Sequence, residues 1–312
     1  MNLVTRTLLA AALLSLLCGH AMATTTWTGG AGNGDWNDAN NWDNGVPSKT
    51  VTDTAVFDSA TTGATITWGT GSASRPKNTN FSFLSGAHSF NFAGSDFIDN
   101  KSNTRTIQTA SGMNSNQTFT STMRVANHTI TLDGAGDVTF NQLDNTDVWG
   151  DTSTNSGGWA VNNADAILTV DGFTQIRKYT LTKSGAGKLV LSGTIDFAYG
   201  MNGTTYVGSY LQTSGANAGT IDLSAATANL ESHLETGENL QVGAKYTLVN
   251  YANATLIGAG TMGFASATGL PAGWTLFNDT TDKKIYLQQI PEPATLAALL
   301  AGGAMTLLRR RR

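Results

Sequence analysis

Tyr179-Thr180-Leu181-Thr182-Lys183-Ser184-Gly185-Ala186-Gly187-Lys188-Leu189-Val190-Leu191-Ser192-Gly193 is the sharpest local pattern in this chain of 312 residues. Leu181, Leu189 and Leu191 alternate with polar residues on either side of a Gly-x-Gly turn. Successive side chains of a strand point to opposite faces, so this spacing predicts two short strands, each with one apolar face to bury. The same alternation recurs in Thr129-Ile130-Thr131-Leu132, Asp137-Val138-Thr139-Phe140 and Ile167-Leu168-Thr169-Val170, bounded by Gly, Asn or Asp. Helical periodicity is scarce. Ser224 to Glu235 is the one stretch that predicts a short helix, closed by Thr236-Gly237.

Composition agrees. Charged residues make up 13% of the chain, hydrophobic ones 40%, and glycine alone numbers 35. The apolar fraction suffices for a core and excludes a charged, disordered tail. Gly and Asn suit tight turns with positive φ, while Thr suits a pleated surface. The expected class is all-β.

The Tyr179–Gly193 segment resembles the autotransporter-associated β-strand repeat, a unit of surface-exposed passenger domains that fold as parallel β-helices. Ala166 to Phe173 fits the preceding half of such a unit, and Thr204-Thr205-Tyr206-Val207 and Gly219-Thr220-Ile221-Asp222-Leu223 fit a degenerate continuation. A solenoid buries its apolar side chains only by stacking on neighbouring turns, so one clear unit implies several less clear ones, although no fixed period stands out. Trp27-Thr28-Gly29-Gly30, Trp36, Asn41-Trp42, Val46-Pro47 and Thr54-Ala55-Val56-Phe57 resemble the opening of the same repeat-bearing proteins. Tyr246-Thr247-Leu248-Val249, Leu270-Pro271-Ala272-Gly273-Trp274 and Ile285-Tyr286-Leu287 read as closing strands. The resemblance implies a right-handed parallel β-helix with capped ends. Short strands at regular spacing also allow an antiparallel β-sandwich. No Pro/Ser-rich linker divides residues 24–290, which read as one domain.

The two ends carry address signals. Arg6, the apolar run Leu8 to Leu17 and Ala21-Met22-Ala23 form a signal peptide over residues 1–23, with cleavage after Ala23 and a mature start at Thr24. Cys18, the only cysteine, leaves with it, so disulfides and thiolate chemistry are not expected. Residues 291–312 read as Pro291-Glu292-Pro293, an apolar run from Ala294 to Leu308, and Arg309-Arg310-Arg311-Arg312. An exported chain halts on such a run, with its arginines left in the cytoplasm. At 1.5 Å per residue the run spans roughly 22 Å as a helix, short of the ~30 Å hydrocarbon core, which favours a transient, processed span over a permanent anchor. This composite resembles the sorting tail of PEP-CTERM proteins, exported proteins of Gram-negative bacteria, with Ile290 where valine is commoner. The resemblance implies an exosortase-type membrane enzyme as processing partner, a transient stay in the inner membrane, and a final place at the cell surface or in the extracellular matrix.

Of 18 basic and 22 acidic residues, Arg6, Arg309–Arg312 and Glu292 lie in the end segments, which leaves 13 against 21 and a net charge of −8 on the body. Nucleic acid demands a basic footprint and is not an expected partner.

Candidate chemistry is sparse. Gly187-Lys188 is not a phosphate loop, because Leu189 follows where Ser or Thr is required and Thr182 stands in place of the first glycine. Gly29-Gly30-Ala31-Gly32-Asn33-Gly34-Asp35 approaches a calcium nonapeptide, but its aspartate comes one position late and no tandem copy follows. Asp35, Asp38 and Asp43 read as a solvated turn, the alternative being weak calcium binding from the loop. Asp144, Asp147 and Asp151 around Trp149 form the densest acidic loop, in which paired carboxylates beside an aromatic could act on a glycan. The plainer reading is a loop extended from one turn of the solenoid. His88, His128 and His233 are far apart and in no zinc-type pair, and no serine lies in Gly-x-Ser-x-Gly. Trp27, Trp36 and Trp42 read as the apolar plug of the first turn rather than as a sugar-stacking patch. No catalytic, cofactor-binding or metal-binding residue is assigned. The expected function is that of a non-enzymatic surface or matrix protein associated with exopolysaccharide, the alternatives being a β-helix polysaccharide-active enzyme or a glycan-binding adhesin.

Overall fold

In the computed structural model, which describes residues 24–290 except 72, 96–97, 100–104, 111–112, 114–115, 125–128, 145–155, 178–179, 203–204 and 236, the Gly-x-Gly turn is a corner and not a hairpin. Thr180–Ser184 lies in an eleven-stranded sheet and Lys188–Leu191 in a thirteen-stranded one. Each pairs in parallel with strands far away in sequence: Leu181 sits between Gly157 and Leu211, and Leu189 between Leu168 and Ile221. All three leucines of the motif are buried.

The glycines are dictated by this stacking. Gly185 has φ +77°, and a Cβ there would press into the Val161 carbonyl. A Cβ on Gly187 would meet the Asn163 carbonyl and the Val161 side chain, while Gly219 of the following pass lies against the carbonyls of Ala186 and Gly187. Corners pile on corners, and only Gly lets the backbones approach so closely. The Gly187 N–H donates to the Val161 carbonyl at 2.8 Å and so pairs one corner with the one before.

The chain alternates between the sheets along its length. In the eleven-stranded sheet Ala55, Phe81, Ile107, Leu132 and Val161 stand in register, at steps of 26, 26, 25 and 29 residues. In another row of the same sheet Gly157, Leu181, Leu211 and Val249 stand in register at steps of 24, 30 and 38. Uneven corners absorb the difference, so the sequence shows no fixed period. Pairing among the described strands is parallel except where Tyr199–Asn202 meets Thr205–Gly208, and in the closing set Lys245–Asn250, Lys284–Gln289 and Trp274–Asp279. The protein is all-β with long parallel sheets, an arrangement consistent with a β-helix and opposite in strand direction to an antiparallel sandwich.

The core lies between the sheets. Ile66, Phe92, Phe119, Phe140, Val170 and Leu191 form one inward row. Phe119 stacks on Phe92 with ring centroids 4.6 Å apart and on Phe140 at 4.9 Å. Each such ring stabilises by about 1.5–3 kcal/mol through burial, and ring pairing adds about 0.5–1.5. Gln117 is a polar member of the neighbouring row. Its Oε1 accepts from the Phe90 N–H at 3.0 Å, and its Nε2 donates to the His88 carbonyl at 3.0 Å, which satisfies the buried amide.

Three expectations need correction. Leu270-Pro271-Ala272-Gly273 is not a closing strand but a turn, with the Trp274 N–H donating to the Pro271 carbonyl at 3.0 Å, and the strand Trp274–Asp279 begins after it. Ser224–Glu235 is not helical: Thr227–Ser232 is a strand between Thr194–Asn202 and Ser266–Thr268. Ala226, Ala228 and Leu230 are all buried, so period-2 burial against two partners overrides weak local helix propensity. Thr205–Gly208 does not continue the parallel stack but folds back, antiparallel, on Tyr199–Asn202. Among the described residues no helix is long and apolar enough to cross a membrane. The signal and tail segments, residues 1–23 and 291–312, lie outside the described residues.

Candidate functional site

At the N-terminal end, Trp27, Trp36 and Trp42 are 1%, 0% and 4% exposed. Trp42 meets Trp27 edge-on at 5.0 Å and Trp36 at 4.8 Å, and its Nε1 donates to the Trp36 carbonyl at 2.8 Å. With Phe57 and Phe81 beside them, the rings plug the end of the core and offer no sugar a free face. Buried Asn41 braces the loop above. It accepts from the Ala31 N–H at 2.9 Å and donates to Asn33 Oδ1 and the Asp35 carbonyl.

The three aspartates of this loop are engaged in folding it. Asp38 accepts from the Asn40 N–H and from Asn33 Nδ2, which hold its carboxyl below the usual carboxylate range. Asp43 is lowered in the same way, chiefly by the Thr26 N–H at 2.6 Å. Asp35 accepts from the Asn37 N–H at 2.9 Å. Among the described residues no group of three or more His, Cys, Asp or Glu could hold a metal ion. A cavity of about 510 Å³ beside the loop is lined by Trp27, Thr28, Asn33, Thr61, Thr65 and glycines, without a charged group.

The remaining sequence candidates stay apart. Lys188 Nζ pairs with Asp222 at 2.8 Å on the outer face of the thirteen-stranded sheet. His88 is exposed, and His233 lies 3.3 Å from Glu231. Asp144 closes the strand Val138–Asp144. Asp147, Trp149, Asp151 and His128 lie outside the described residues, as do Ala21, Ala23, Pro291, Glu292, Pro293 and Arg309–Arg312.

What the tertiary structure does assemble is a pair of outward polar faces. Thr65, Asn91, Thr118, Thr139 and Thr169 stand in register on the thirteen-stranded sheet. Hydroxyls and amides bond across them: Asn116 Nδ2 donates to Thr139 Oγ1 at 2.7 Å, and Thr120 Oγ1 to Asn91 Oδ1 at 3.1 Å. On the other sheet Thr54 lies beside Asn80 and Thr106 beside Thr131, with Asn80 Oδ1 accepting from the Thr106 N–H at 3.0 Å. Strand spacing repeats these donors and acceptors every ~4.8 Å. Alternation in the sequence signals that these residues face outward, but not which ones align.

Two features escaped the reading of the sequence, although alternation from Leu181 already places Lys183 on the inward face. Lys183 occupies an inward position and is 0% exposed, between Trp159 and Thr213 in the register. Its ammonium donates to the carbonyls of Ser184 at 3.1 Å and Gly185 at 2.6 Å, and burial lowers its pKa to about 8. A groove of about 360 Å³ is lined by Gly208, Tyr210, Gln212, Thr247, Asn250 and Lys284. These six come from four strands spread over 77 positions of chain.

Neither a protein-family model nor a curated protein matches this chain.

Proposed function

We propose that the protein is a non-enzymatic component of a bacterial cell surface or extracellular matrix, retained there by exopolysaccharide. The observation that carries the reading is the outward hydroxyl and amide array on both sheets, represented by Thr118, Thr139 and Thr169 in register. One hydrogen bond to a hydrated polysaccharide contributes only about 0.5–1.5 kcal/mol, so retention comes from many weak bonds acting together and not from one pocket. Parallel stacking suits this role, since each added pass of chain extends both faces. We read the stack as a right-handed parallel β-helix, the hand favoured for parallel crossovers.

The end segments support a matching route. A signal peptide over residues 1–23 exports the chain, and the tail from Pro291 to Arg312 halts it briefly in the inner membrane for an exosortase-type enzyme. The test is co-sedimentation. The purified protein is mixed with extracellular polysaccharide, and both the pellet and the sugar chain length are measured. Expected is protein in the pellet with chain length unchanged. Soluble sugar released in proportion to added protein would overturn the non-enzymatic reading, and protein left in the supernatant would overturn retention.

A further inference from the structure

Lys284 is half-buried in the 360 Å³ groove near the C-terminal end of the eleven-stranded sheet. Thr182, Gln212, Asn250 and Lys284 form one outward row running across four adjacent strands. A register shift between Thr247 and Val249 turns both Leu248 and Val249 inward, leaving Thr247 and Asn250 to line the groove. Gly208 contributes no side chain, and Tyr210 supplies a wall from the neighbouring strand.

The polar inventory of the groove is one-sided. No carboxylate lines it. Lys245, nearby on the same sheet, has a carboxylate within 3.6 Å in Asp279, and Lys188 has Asp222. Lys284 has no ion pair among the described residues: Asp279 stands opposite it in the ladder but is paired with Lys245, and the ring of Tyr286 lies 6.0 Å from the Lys284 ammonium. Asn250 uses its Oδ1 to accept from the Ala252 N–H, which leaves its Nδ2 donors for the groove. Gln212 Nε2 is engaged with Thr182 Oγ1 at 3.1 Å, so Gln212 presents its Oε1 acceptor. The residues lining this space thus carry an ammonium, an amide NH₂, an amide acceptor and the hydroxyls of Thr247 and Tyr210, and its volume is within the usual range for small ligands.

We infer that this groove binds an anionic sugar unit, its carboxylate or sulfate on Lys284 and its ring hydroxyls on Asn250, Gln212 and Thr247. On a body of net charge −8 the overall field disfavours such a unit, so a lysine without an ion pair supplies the local attraction that selects this site. The inference builds on the polysaccharide-retention reading, to which it adds one defined subsite among many weak contacts.

The test titrates the full-length protein, by calorimetry at low and moderate salt, with oligogalacturonate, with a sulfated oligoglucan, and with the neutral oligoglucan of equal length. Expected is binding of one or both anionic probes in preference to the neutral one, weakened by salt. Lys284→Gln should weaken it about tenfold or more, the usual worth of a charge-assisted hydrogen bond. Lys284→Arg should retain most of the affinity and Lys283→Gln all of it, which separates loss of the site from loss of the fold. Equal affinity for neutral and anionic probes, or no effect of Lys284→Gln, would refute the subsite. If that result came with intact co-sedimentation, the matrix reading would stand without it. Lys284-dependent binding without co-sedimentation would keep the subsite and sink the matrix reading.

Discussion

Lys183 offers a stringent test of the stacked architecture, because it shares the inward face of Leu181 and so carries a titratable amine into the core. The side chain is 0% exposed, and its ammonium is held only by the carbonyls of Ser184 and Gly185. Burial penalises the charged form and lowers the pKa from 10.5 to about 8. In the unfolded chain the amine regains its ordinary value, so between pH 8 and 10.5 the unfolded state binds more protons than the folded one. Stability from this group therefore rises with pH across that window, is complete above 10.5, and is missing below 8. At about 1.4 kcal/mol per pKa unit, the change from neutral to alkaline pH amounts to about 3 kcal/mol. The perturbation is Lys183→Met, which is one atom shorter, unbranched like lysine, and removes the charge. Urea unfolding at pH values from 7 to 10.5 should show the wild type gaining on the variant by about 3 kcal/mol as pH rises. At pH 7 the variant should be at least as stable as the wild type, since an apolar side chain of similar volume replaces a buried charge. Tyr251 and Tyr286, both pushed above the usual tyrosine value by burial, act in the opposite direction at high pH. They are present in both proteins and cancel in the difference. A wild-type-minus-variant difference that stays flat from pH 7 to 10.5 would mean that the amine is solvated, and would falsify the inward placement of Lys183.

Other perturbations address the core, the cap and the processing route. Leu189→Asp puts an unpaired carboxylate between Leu168 and Ile221, and a loss of about 4 kcal/mol or more is expected, read as collapse of the urea midpoint or of the β circular dichroism signal. Phe119→Ala removes the middle ring of the Phe92–Phe119–Phe140 stack and should destabilise by about 3–5 kcal/mol, against well under 1 for Thr118→Ala on the outer face of the same strand. Asn41→Leu leaves the Ala31 N–H and the Asp35 carbonyl without their buried partner, so about 1–3 kcal/mol should be lost and proteolysis should begin within residues 28–43; unchanged protease resistance would show that the cap does not depend on it. Intact-mass measurement of the exported form should give a chain starting at Thr24 without Arg309–Arg312, and retention of those arginines in surface material would rule out the sorting reading.

The sequence alone determined the all-β class and which residues face inward in the clearest strands. Leu181, Leu189 and Leu191 had to share buried faces because a strand repeats every two residues, whatever its partners. It also marked the tryptophan plug, since rings as large as Trp27, Trp36 and Trp42 near the start of a stack have more to gain from covering its open end than from water. Tertiary structure alone decided that Gly185-Ala186-Gly187 passes from one sheet to the other, because a turn is local while sheet membership is set by backbones 24 to 38 residues away. It alone turned Thr227–Ser232 into a strand, where two parallel neighbours outweighed a weak helical tendency. It alone brought Gln212, Asn250 and Lys284 into one row and gave the buried ammonium of Lys183 the carbonyls of Ser184 and Gly185. Alternation fixes the face a side chain occupies; only the register of the stack fixes its company, and that register rests on corners whose lengths follow no period.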